Sequence, residues 1–499
     1  MKFRRTALIS VSDKGGLLAF ARGLQELGYR ILSTGGTYRF LKKARIAAEQ
    51  VSDYTRFPEI LGGRVKTLHP RIFSGILARS DQEKELRRYH MDRIDLVCCN
   101  FYPFNRRKNL ENIDVGGVAL LRAAAKNYPR VIPVARRQDY PAVLSLLKKG
   151  GDLDLSERKS LAARAFAYTA WYDGLISSFL GPRQYFPSQV SLQLEKRFEL
   201  RYGENPHQPA ACYDTGRDFP FRKIAGKELS YNNLLDIEAA LKLIRVFPEK
   251  PVTAIIKHTV PCGVALGKNP LESFRRAFAG DPVSPYGGVF IFNSPVDRPL
   301  AEELSRHFIE VILAPSISPA ARSLFLKKEK LILIEYFSGA SSPLPVGEWR
   351  PLFWGGFLAQ TADSFSGESW RTVSRRQPTP REMKDLKFAW RVAGLLKSNA
   401  IALVRDLRTV GLCGGATSRL DAMRNAAARR KSHLPELARG LVLASDGFFP
   451  FKDNVIEAYR CGVSAVVQPG GSKRDEEVIA ACDRRNMALL FTGRRHFRH

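Results

Sequence analysis

The chain has 499 residues, of which 44% are hydrophobic, and its formal net charge at pH 7 is +30. This length predicts several domains with full hydrophobic cores, and the lack of any uncharged apolar run of about 20 residues predicts no membrane span. The seven cysteines are scattered without CxxC or zinc-ligand spacing, so we expect reduced thiols and no metal site.

The basic residues are spread along the whole chain in runs of at most three. This distribution favours a protein that handles anionic small molecules, whose approach a positive field would steer, over a nucleic-acid-binding protein. The basic N-terminus is followed by a five-residue apolar run, which is too short for a signal peptide. We therefore expect a cytoplasmic protein that binds neither membranes nor nucleic acids.

Two strand–loop–helix units open the chain. The first has a strand at Ala7–Val11 and apolar residues at helical spacing from Leu17 until Gly28. The second has a strand at Tyr29–Leu32, which runs into Ser33–Thr37 and another helix. Hydroxyls, glycines and a lysine at the helix starts indicate a phosphate cradle, because helix N-termini and backbone N–H groups favour anions. The same Ser and Thr residues would also serve as ordinary helix caps.

Further polar loops follow in the same region. Gly62–Pro70 carries two cations, Asn100–Phe104 follows the predicted strand Ile94–Cys99, and Ile113–Gly117 precedes the predicted helix Val118–Lys126. The βαβα order predicts a small parallel α/β domain over residues 1–150, with one site assembled from these loops at an edge of the sheet. Residues 151–199 are interpreted as a helical connector and linker, and residues 200–499 as a second α/β region.

The stretch Thr253–Ala265 is the centre of that second region. Its first half is a short apolar run, typical of a buried parallel strand, and this run ends at Lys257 and His258. A turn with Pro261 and Gly263 is predicted to follow. A cation beside a group that titrates near neutrality suits proton transfer, but a strand end with a solvated lysine and a capping histidine would look the same.

Strands separated by helices, with polar Gly/Pro loops after them, recur from about residue 250 to the end. Thr379–Glu382 is a capping box, Gly411–Arg419 is predicted to be a glycine-rich loop, and Asp446–Asn454 follows the predicted strand Gly440–Ser445. This pattern supports an α/β region large enough for two similar layers.

Twelve segments, in order, resemble one family: SVSDKGG, STGGT, GGRVKTLHP, NFYPF, IDVGG, RAAAKN, RYGENPHQ, KHTVPCGVA, LKSNAIAL, ASDGFFPF, QPGGS and TGRRHFRH. The family is the bifunctional phosphoribosylaminoimidazolecarboxamide (AICAR) formyltransferase/IMP cyclohydrolase of purine biosynthesis. The resemblance implies a methylglyoxal-synthase-like parallel-sheet domain, then a formyltransferase region of two cytidine-deaminase-like α/β subdomains without zinc. It also implies an intertwined homodimer, with AICAR, formyl-AICAR and IMP as ligands and 10-formyltetrahydrofolate as co-substrate.

For formyl transfer, the resemblance implies that His258 is the base, Lys257 assists the departing folate nitrogen and Asn399 donates to the oxyanion. Positions that match the nucleotide site are Arg201, Tyr202, Asn233, Gly288, Arg419 and His499. Positions that match the folate side are Glu310, Phe448, Phe449, Pro450 and Asn454.

For ring closure, the resemblance implies a catalytic group of Lys66, Tyr102, Asp114 and Lys126. The matching phosphate pocket consists of Ser10, Ser12, Lys14, Ser33, Gly36, Thr37, Arg64 and Thr67. Two residues depart from the family pattern near the formyltransferase site, because Val260 stands in place of Asn and Ala416 in place of Gln. An alternative is therefore a chain that has kept only the cyclohydrolase, with a formyltransferase half altered in donor use or inactive.

Overall fold

The computed structural model describes residues 5–104, 108–181, 185–215, 219–249, 251–337 and 347–499. The chain divides into two compact units, of which the first ends at Leu194 and the second begins at Glu195. In the described ranges, no helix is both long enough and apolar enough to cross a membrane.

The N-terminal unit is built on a five-stranded sheet with the order β3-β2-β1-β4-β5, in which all registered pairs are parallel. Its strands are β1 (Arg5–Val11), β2 (Tyr29–Ser33), β3 (Glu49–Gln50), β4 (Leu96–Asn100) and β5 (Ile132–Val134). Its helices are α1 (Leu17–Glu26), α2 (Gly35–Lys43), α3 (Val51–Thr55), α4 (Pro70–Leu77), α5 (Glu83–Arg88), α6 (Gly116–Lys126), α7 (Tyr140–Gly150) and α8 (Leu155–Leu180). The prediction of a parallel α/β domain is confirmed.

Both faces of this sheet are buried, as parallel sheets require. Successive residues of β1 point to opposite faces, so that Ala7 and Ile9 pack in a core with α1 and α7, whereas Leu8 packs in a second core with α4, α6 and α8. Helix α8 begins after a capping box between Asp154 and Glu157. This arrangement brings the ends of β1, β2 and β4 to one edge of the sheet.

The C-terminal unit contains a twelve-stranded sheet with the order β16-β21-β20-β19-β17-β18-β10-β9-β11-β12-β13-β8. Its strands, with those of two small hairpins, are β6 (Glu195–Leu200), β7 (Ala210–Asp214), β8 (Phe221–Ala225), β9 (Val252–Lys257), β10 (Val260–Leu266), β11 (Gly288–Phe292), β12 (Ile309–Ala314), β13 (Ile332–Tyr336), β14 (Glu348–Pro351), β15 (Phe357–Gln360), β16 (Arg371–Thr372), β17 (Ile401–Arg405), β18 (Arg408–Cys413), β19 (Leu441–Ser445), β20 (Val463–Gln468) and β21 (Ala488–Phe491). Its helices are α9 (Tyr231–Arg245), α10 (Pro270–Gly280), α11 (Arg298–Leu304), α12 (Pro319–Phe325), α13 (Pro380–Ala393), α14 (Arg419–His433), α15 (Asp453–Arg460) and α16 (Asp475–Asp483).

The large sheet contains the same topology twice. The succession α9-β9-β10-α10-β11-α11-β12-α12-β13 is repeated as α13-β17-β18-α14-β19-α15-β20-α16-β21. The strand orders also correspond, as β10-β9-β11-β12-β13 and β18-β17-β19-β20-β21, and the two copies join through antiparallel β10 and β18. The repeat is one of structure, since the sequence itself has no short repeat.

The structure corrects the interpretation of the stretch around His258. β9 was predicted to be parallel, but it is antiparallel to both β10 and β11. An apolar run reports burial and not strand direction, and the two-residue connection between β9 and β10 allows only a hairpin. Pro261 and Gly263, predicted to form a turn, lie in β10 on either side of a register shift.

Two glycines interpreted as loop residues lie in strands for a packing reason. A Cβ on Gly263 would lie 2.1 Å from the carbonyl oxygen of Ala277 in α10. A Cβ on Gly411, in the corresponding strand β18, would lie 2.1 Å from the carbonyl oxygen of Ala426 in α14. In each copy of the topology, glycine lets a helix backbone approach the sheet.

The predicted linker, residues 151–199, was too long, because β6 occupies its last residues. Residues 182–184 of the predicted linker lie outside the described ranges.

The C-terminal segment is held by a buried histidine. His496 is 1% exposed, and its ring nitrogens contact Asp363 at 2.6 Å and Glu368 at 3.0 Å. Burial opposes the charged ring, but the two carboxylates outweigh burial and raise the pKa of His496 from 6.5 to about 9. His496 is therefore a protonated anchor at neutral pH.

We expect the pH dependence of stability to reflect this anchor. The folded pKa lies above the unfolded value, so its stabilisation of about 3 kcal/mol is fully present below pH ~6.5 and is lost as pH rises through about 9. Urea unfolding between pH 6 and 10 measures this loss, with the His496→Gln variant as control. A wild-type pH dependence that persists in His496→Gln would contradict the assignment.

Candidate active sites

Three loops of the N-terminal unit are tied together where β1, β2 and β4 end. The Ser10 hydroxyl contacts the Thr34 hydroxyl at 2.9 Å, and the Thr37 hydroxyl donates to the Val11 carbonyl at 3.0 Å. The Asn100 side-chain oxygen accepts from the Ser12 N–H at 2.6 Å. The structure thus brings Ser10, Ser12 and Thr37 together at the predicted edge.

The N-terminus of α2 has the form of an anion site. Apart from its chain neighbours and its own helix backbone, no described atom lies within 4 Å of the Cβ position of Gly36, so the backbone there is open. The neighbouring Gly35 N–H donates to the Glu59 carboxylate at 3.3 Å, and Lys66 Nζ lies 3.8 Å from the same carboxylate. Glu59 therefore occupies the place that the sequence predicts for a phosphate.

Other members of the predicted phosphate pocket differ in their access to this edge. Lys14 Nζ lies 3.4 Å from the Ser12 carbonyl oxygen. Ser33 is fully buried and donates to the Ile9 carbonyl at 2.9 Å, so its hydroxyl supports the strands. Arg64 is exposed and pairs with Glu111.

A buried carboxylate lies at the N-terminus of α6. Asp114 accepts from the Gly117 N–H at 2.7 Å, and its own N–H donates to the Tyr172 hydroxyl at 2.8 Å. Burial raises the pKa of Asp114, while the Gly117 N–H and the positive charge of Lys66 act against this rise. Thr67 is buried against the same helix start, 2.8 Å from where a Cβ on Gly116 would lie. Lys66, Thr67 and Asp114 thus form one group.

Lys126, a member of the predicted cyclohydrolase set, lies apart from this group. Lys126 is exposed at the last residue of α6, and the eleven residues of that helix span about 15 Å from the Asp114 end. Tyr102 lies in the loop after β4 and is 46% exposed. The chain by itself does not bring Lys126 to Asp114.

In the C-terminal unit, Lys257 and His258 lie at the tip of the β9–β10 hairpin. Lys257 Nζ donates to the Tyr286 carbonyl at 2.7 Å and lies 3.3 Å from the Gly287 carbonyl oxygen. His258 is exposed, and both His258 and Thr259 have positive φ, at 51° and 65°. The Thr259 N–H donates to Asp236 on α9 at 2.6 Å. His258 is therefore exposed to solvent on a turn that Asp236 of α9 holds by a hydrogen bond.

A second polar cluster centres on Glu310. Lys227 Nζ lies 2.7 Å from its carboxylate, Asn233 Nδ2 donates to it at 3.1 Å, and an Arg201 nitrogen is 4.0 Å away. Burial opposes the charge of Glu310, but these neighbours lower its pKa. Arg201 also lies 4.7 Å from the ring centre of Tyr202. Four predicted residues are brought together here, with Lys227 in addition.

The Glu310 cluster and the hairpin share one edge of the sheet. Gly288, which begins β11, registers with Ile309 of β12, and Val289 registers with Ile256 of β9. His258, Lys257 and Glu310 all interact electrostatically with Asp236, which places the three groups around that carboxylate. The site thus lies at the carboxyl end of β9, as the sequence predicts, and at the amino ends of β11 and β12 beside it.

The third group surrounds Asp446, at the end of β19. Asp446 is fully buried and forms an ion pair with Arg419, which is 8% exposed. Asp446 also accepts from the Ala400 N–H at 3.0 Å and from the Ser398 hydroxyl. The Arg419 guanidinium donates to Ser445 Oγ at 3.1 Å. The predicted nucleotide-site residue Arg419 is therefore already paired with a carboxylate.

Asn399 and the nearby loops lie at the same edge as His258. Asn399 Nδ2 donates to the Ala416 carbonyl at 3.0 Å, so Ala416 contacts it through the backbone. Because Ala265 of β10 registers with Arg408 of antiparallel β18, β18 ends at the edge where β10 begins with Val260. Val260 pairs with Lys257 and packs in part against the core.

The predicted folate-side residues differ in exposure. Phe448 is 37% exposed, whereas Phe449 is fully buried, with its N–H donating to Gln468 at 2.6 Å. Asn454 is buried, and its Oδ1 has no hydrogen-bond partner among the described residues. The His499 carbonyl oxygen accepts from Arg350. In the part of the chain that the structure describes, no group of three or more His, Cys, Asp or Glu residues is placed to hold a metal ion.

Sequence reasoning missed four residues that organise these sites: Asn100, Lys227, Asp236 and Asp446. Asn100 and Asp446 directly follow predicted strands, which was a usable signal. Asp236 lies within a helix, where an acidic residue usually faces solvent. Only the repeated topology singles out Asp236, because Asp385 stands at the same distance after the capping residue of α13 as Asp236 does in α9.

Comparisons with known proteins agree over nearly the whole chain. The family model described as AICARFT/IMPCHase bienzyme matches residues 124–429, and the model described as MGS-like domain matches residues 16–128. The chain is 45% identical over 523 residues to the bifunctional purine biosynthesis protein PurH of Acidithiobacillus ferrooxidans, covering 99% of each chain. It is 44% identical over 520 residues to the protein of that name from Myxococcus xanthus, covering 99% of this chain and 100% of the relative.

A solved structure described as "Crystal structure of ForH" is 41% identical, with a TM-score of 0.33, and covers 36% of this chain and 99% of that chain. One family model matches more than half of the chain, and the relatives are similar to it over their full length. These two findings decide the family. No comparison supports a chain that has kept the cyclohydrolase alone. The chain belongs to the AICARFT/IMPCHase family of bifunctional purine-biosynthesis enzymes.

Proposed function

We propose that the chain transfers a formyl group from 10-formyltetrahydrofolate to AICAR and then closes formyl-AICAR to IMP with loss of water. Family membership supports the pair of reactions and a folate-derived formyl donor. The match of the MGS-like model supports ring closure in the N-terminal unit. Formyl transfer then belongs to the C-terminal unit, and the observation that carries it is the exposed His258 on its held turn beside Lys257.

Formyl transfer needs a base because the amine of AICAR is a poor nucleophile, with its lone pair delocalised into the ring and the carboxamide. As that nitrogen bonds to the formyl carbon, its proton passes to His258. The bond from the formyl carbon to the folate nitrogen then breaks, and Lys257 supplies a proton to that nitrogen. Asn399 lies at the same edge and donates to the oxyanion, a contact typically worth about 3 kcal/mol.

The nucleotide and folate need cationic and apolar surfaces at this edge. Arg201 and Lys227 face each other across Glu310, and Arg201 suits a bidentate phosphate contact. The exposed ring of Phe448 offers a surface for the flat folate ring. The high positive charge of the chain would raise the encounter rate with both anions.

Ring closure is intramolecular, so positioning carries much of the barrier. The carboxamide nitrogen bonds to the formyl carbon and loses one proton, the formamide nitrogen loses a second, and the formyl oxygen leaves with both protons as water. Lys66 would stabilise or protonate that oxygen, and Asp114, whose pKa burial raises, would exchange protons with the substrate. The backbone of α2 and the hydroxyls of Ser10 and Thr37 would hold the phosphate.

The protein is further proposed to be a cytoplasmic homodimer. All seven cysteines are free thiols, as is usual in a reducing compartment. The separation of Lys126 from Asp114 within one chain supports a cyclohydrolase site that a second copy completes. Light scattering of the purified protein at micromolar concentration measures the oligomeric state, and a monomer would contradict this part.

Turnover of AICAR to IMP by the purified chain tests the proposal. With 10-formyltetrahydrofolate present, we expect IMP to form, and formyl-AICAR supplied alone should also give IMP. A chain that converts formyl-AICAR to IMP but makes no formyl-AICAR from AICAR would contradict the proposed formyl transfer and still support the proposed ring closure.

Removing the Lys66 amine should separate the two reactions. We expect Lys66→Ala to lower ring closure about 100-fold, because a leaving oxygen loses its charged partner, while folate consumption with AICAR is retained. Lys148→Ala is the matched control, because Lys148 pairs with Glu26 at 3.4 Å on the surface of the same unit. Ring closure at the wild-type rate in Lys66→Ala would show that another group performs this role.

A further inference from the structure

The turn that carries His258 is strained. His258 and Thr259 both adopt left-handed φ, at 51° and 65°, in a two-residue hairpin connection. Such connections favour Asn-Gly and similar pairs, and a β-branched residue like Thr259 is an outlier there. Strained backbone of this kind persists only where surrounding contacts over-determine it.

Asp236 supplies such a contact. Its carboxylate accepts from the Thr259 N–H at 2.6 Å, one residue beyond His258. Burial raises the pKa of Asp236, whereas the Thr259 N–H and the nearby His258 and Lys257 side chains lower it. The carboxylate is thus fixed on a helix and faces the functional turn.

The second copy of the topology has a similar turn held by a helix carboxylate, but that turn carries no histidine or lysine. Asp406 and Leu407 connect β17 to β18, and both have positive φ, at 52° and 58°. Asp385 on α13 accepts from their N–H groups at 2.9 and 2.7 Å. The fold therefore holds this kind of turn by a helix carboxylate in both copies.

The two turns lie at opposite edges of the sheet. The Leu407 carbonyl oxygen accepts from the N–H of Leu266, at the end of β10 remote from His258. One turn presents a histidine beside Lys257, and the other presents Asp406 and Leu407. Asp385 thus offers an internal reference for a carboxylate that holds a turn away from the site.

We infer that Asp236 is a positioning residue for formyl transfer, which sets the orientation of His258 through its hydrogen bond to the Thr259 N–H. This inference rests on the proposed function of His258. A carboxylate that only stabilised the fold would affect the protein in the way that Asp385 does.

Three variants test the inference: Asp236→Ala, Asp236→Asn and Asp385→Ala. Asp236→Ala is expected to lower kcat for formyl transfer about 100-fold with little change in the KM for AICAR, because small misplacements of a catalytic group cost that much. Asp236→Asn keeps an acceptor for the Thr259 N–H and is expected to retain most of kcat. Asp385→Ala is expected to lower the urea midpoint and leave kcat near wild type.

Hydrogen exchange at the Thr259 amide gives a readout that needs no turnover. Exchange should be fast in Asp236→Ala and slow in the wild type and in Asp236→Asn. A kcat unchanged in Asp236→Ala, a loss in Asp236→Asn as large as in Asp236→Ala, or an equal loss in Asp385→Ala would overturn the inference. A wild type without formyl transfer would refute the proposed function, while the exchange rates would still test the hydrogen bond.

Discussion

Alanine in place of His258 is expected to lower formyl transfer about 1,000-fold and to leave ring closure of supplied formyl-AICAR unchanged. His258 is the exposed group at the tip of the β9–β10 hairpin, and its removal leaves the attacking amine of AICAR without a base. Ring closure, for which we propose Lys66 and Asp114 in the other unit, reports on the integrity of the same protein sample. Formation of formyl-AICAR and of IMP should be measured separately.

His433→Ala is the matched control for this variant. His433 is the last residue of α14, the end of that helix remote from Arg419, and its ring lies 3.9 Å from Asp281. We expect formyl transfer close to the wild-type rate in this variant. If His258→Ala kept formyl transfer, the base would have to be another group, and the assignment of the hairpin as the reaction centre would fail.

A helix or strand could be predicted from the sequence where its own residues carry the pattern. The alanine-rich composition of residues 155–180 predicted a helix there, which is α8, and the apolar run that begins at Ala7 predicted β1. The direction of β9 was predicted wrongly, because it depends on which strands lie beside it.

The candidate site residues could be named from the sequence mainly because of the family resemblance. The residues that hydrogen-bond to them could not be named in this way. His258 and Lys257 stand together in the chain, but Asp236 holds their turn from a helix that precedes them. Asp446 binds Arg419 and Ser398, which are distant in sequence, so no local pattern announces the pair. Contacts across a sheet edge depend on topology, which local periodicity does not encode.

The buried pair of Asp446 and Arg419 should be essential for the stability of the C-terminal unit. We expect Asp446→Ala to lower the free energy of unfolding by about 3–5 kcal/mol, because it leaves the Arg419 charge buried without its partner. The Ala400 N–H and Ser398 hydroxyl also lose their acceptor. Urea unfolding followed by tryptophan fluorescence measures the effect.

Replacing both partners separates the charge from the contacts. The double variant Asp446→Leu with Arg419→Met removes both charges, and such replacements cost less than the loss of one partner. We therefore expect it to be more stable than Asp446→Ala. A double variant less stable than the single one would contradict a dominant role for the unpaired charge.

Activity should not return with stability in this double variant. Asn399 lies between Ser398 and Ala400, and both of these neighbours bind the Asp446 carboxylate. Leucine cannot accept those hydrogen bonds, so the backbone on both sides of Asn399, the residue we propose as the oxyanion donor, loses its support even where the core is well packed. The double variant is therefore expected to fold and still be a poor formyltransferase, and formyl transfer at the wild-type rate would show that Asp446 serves stability alone.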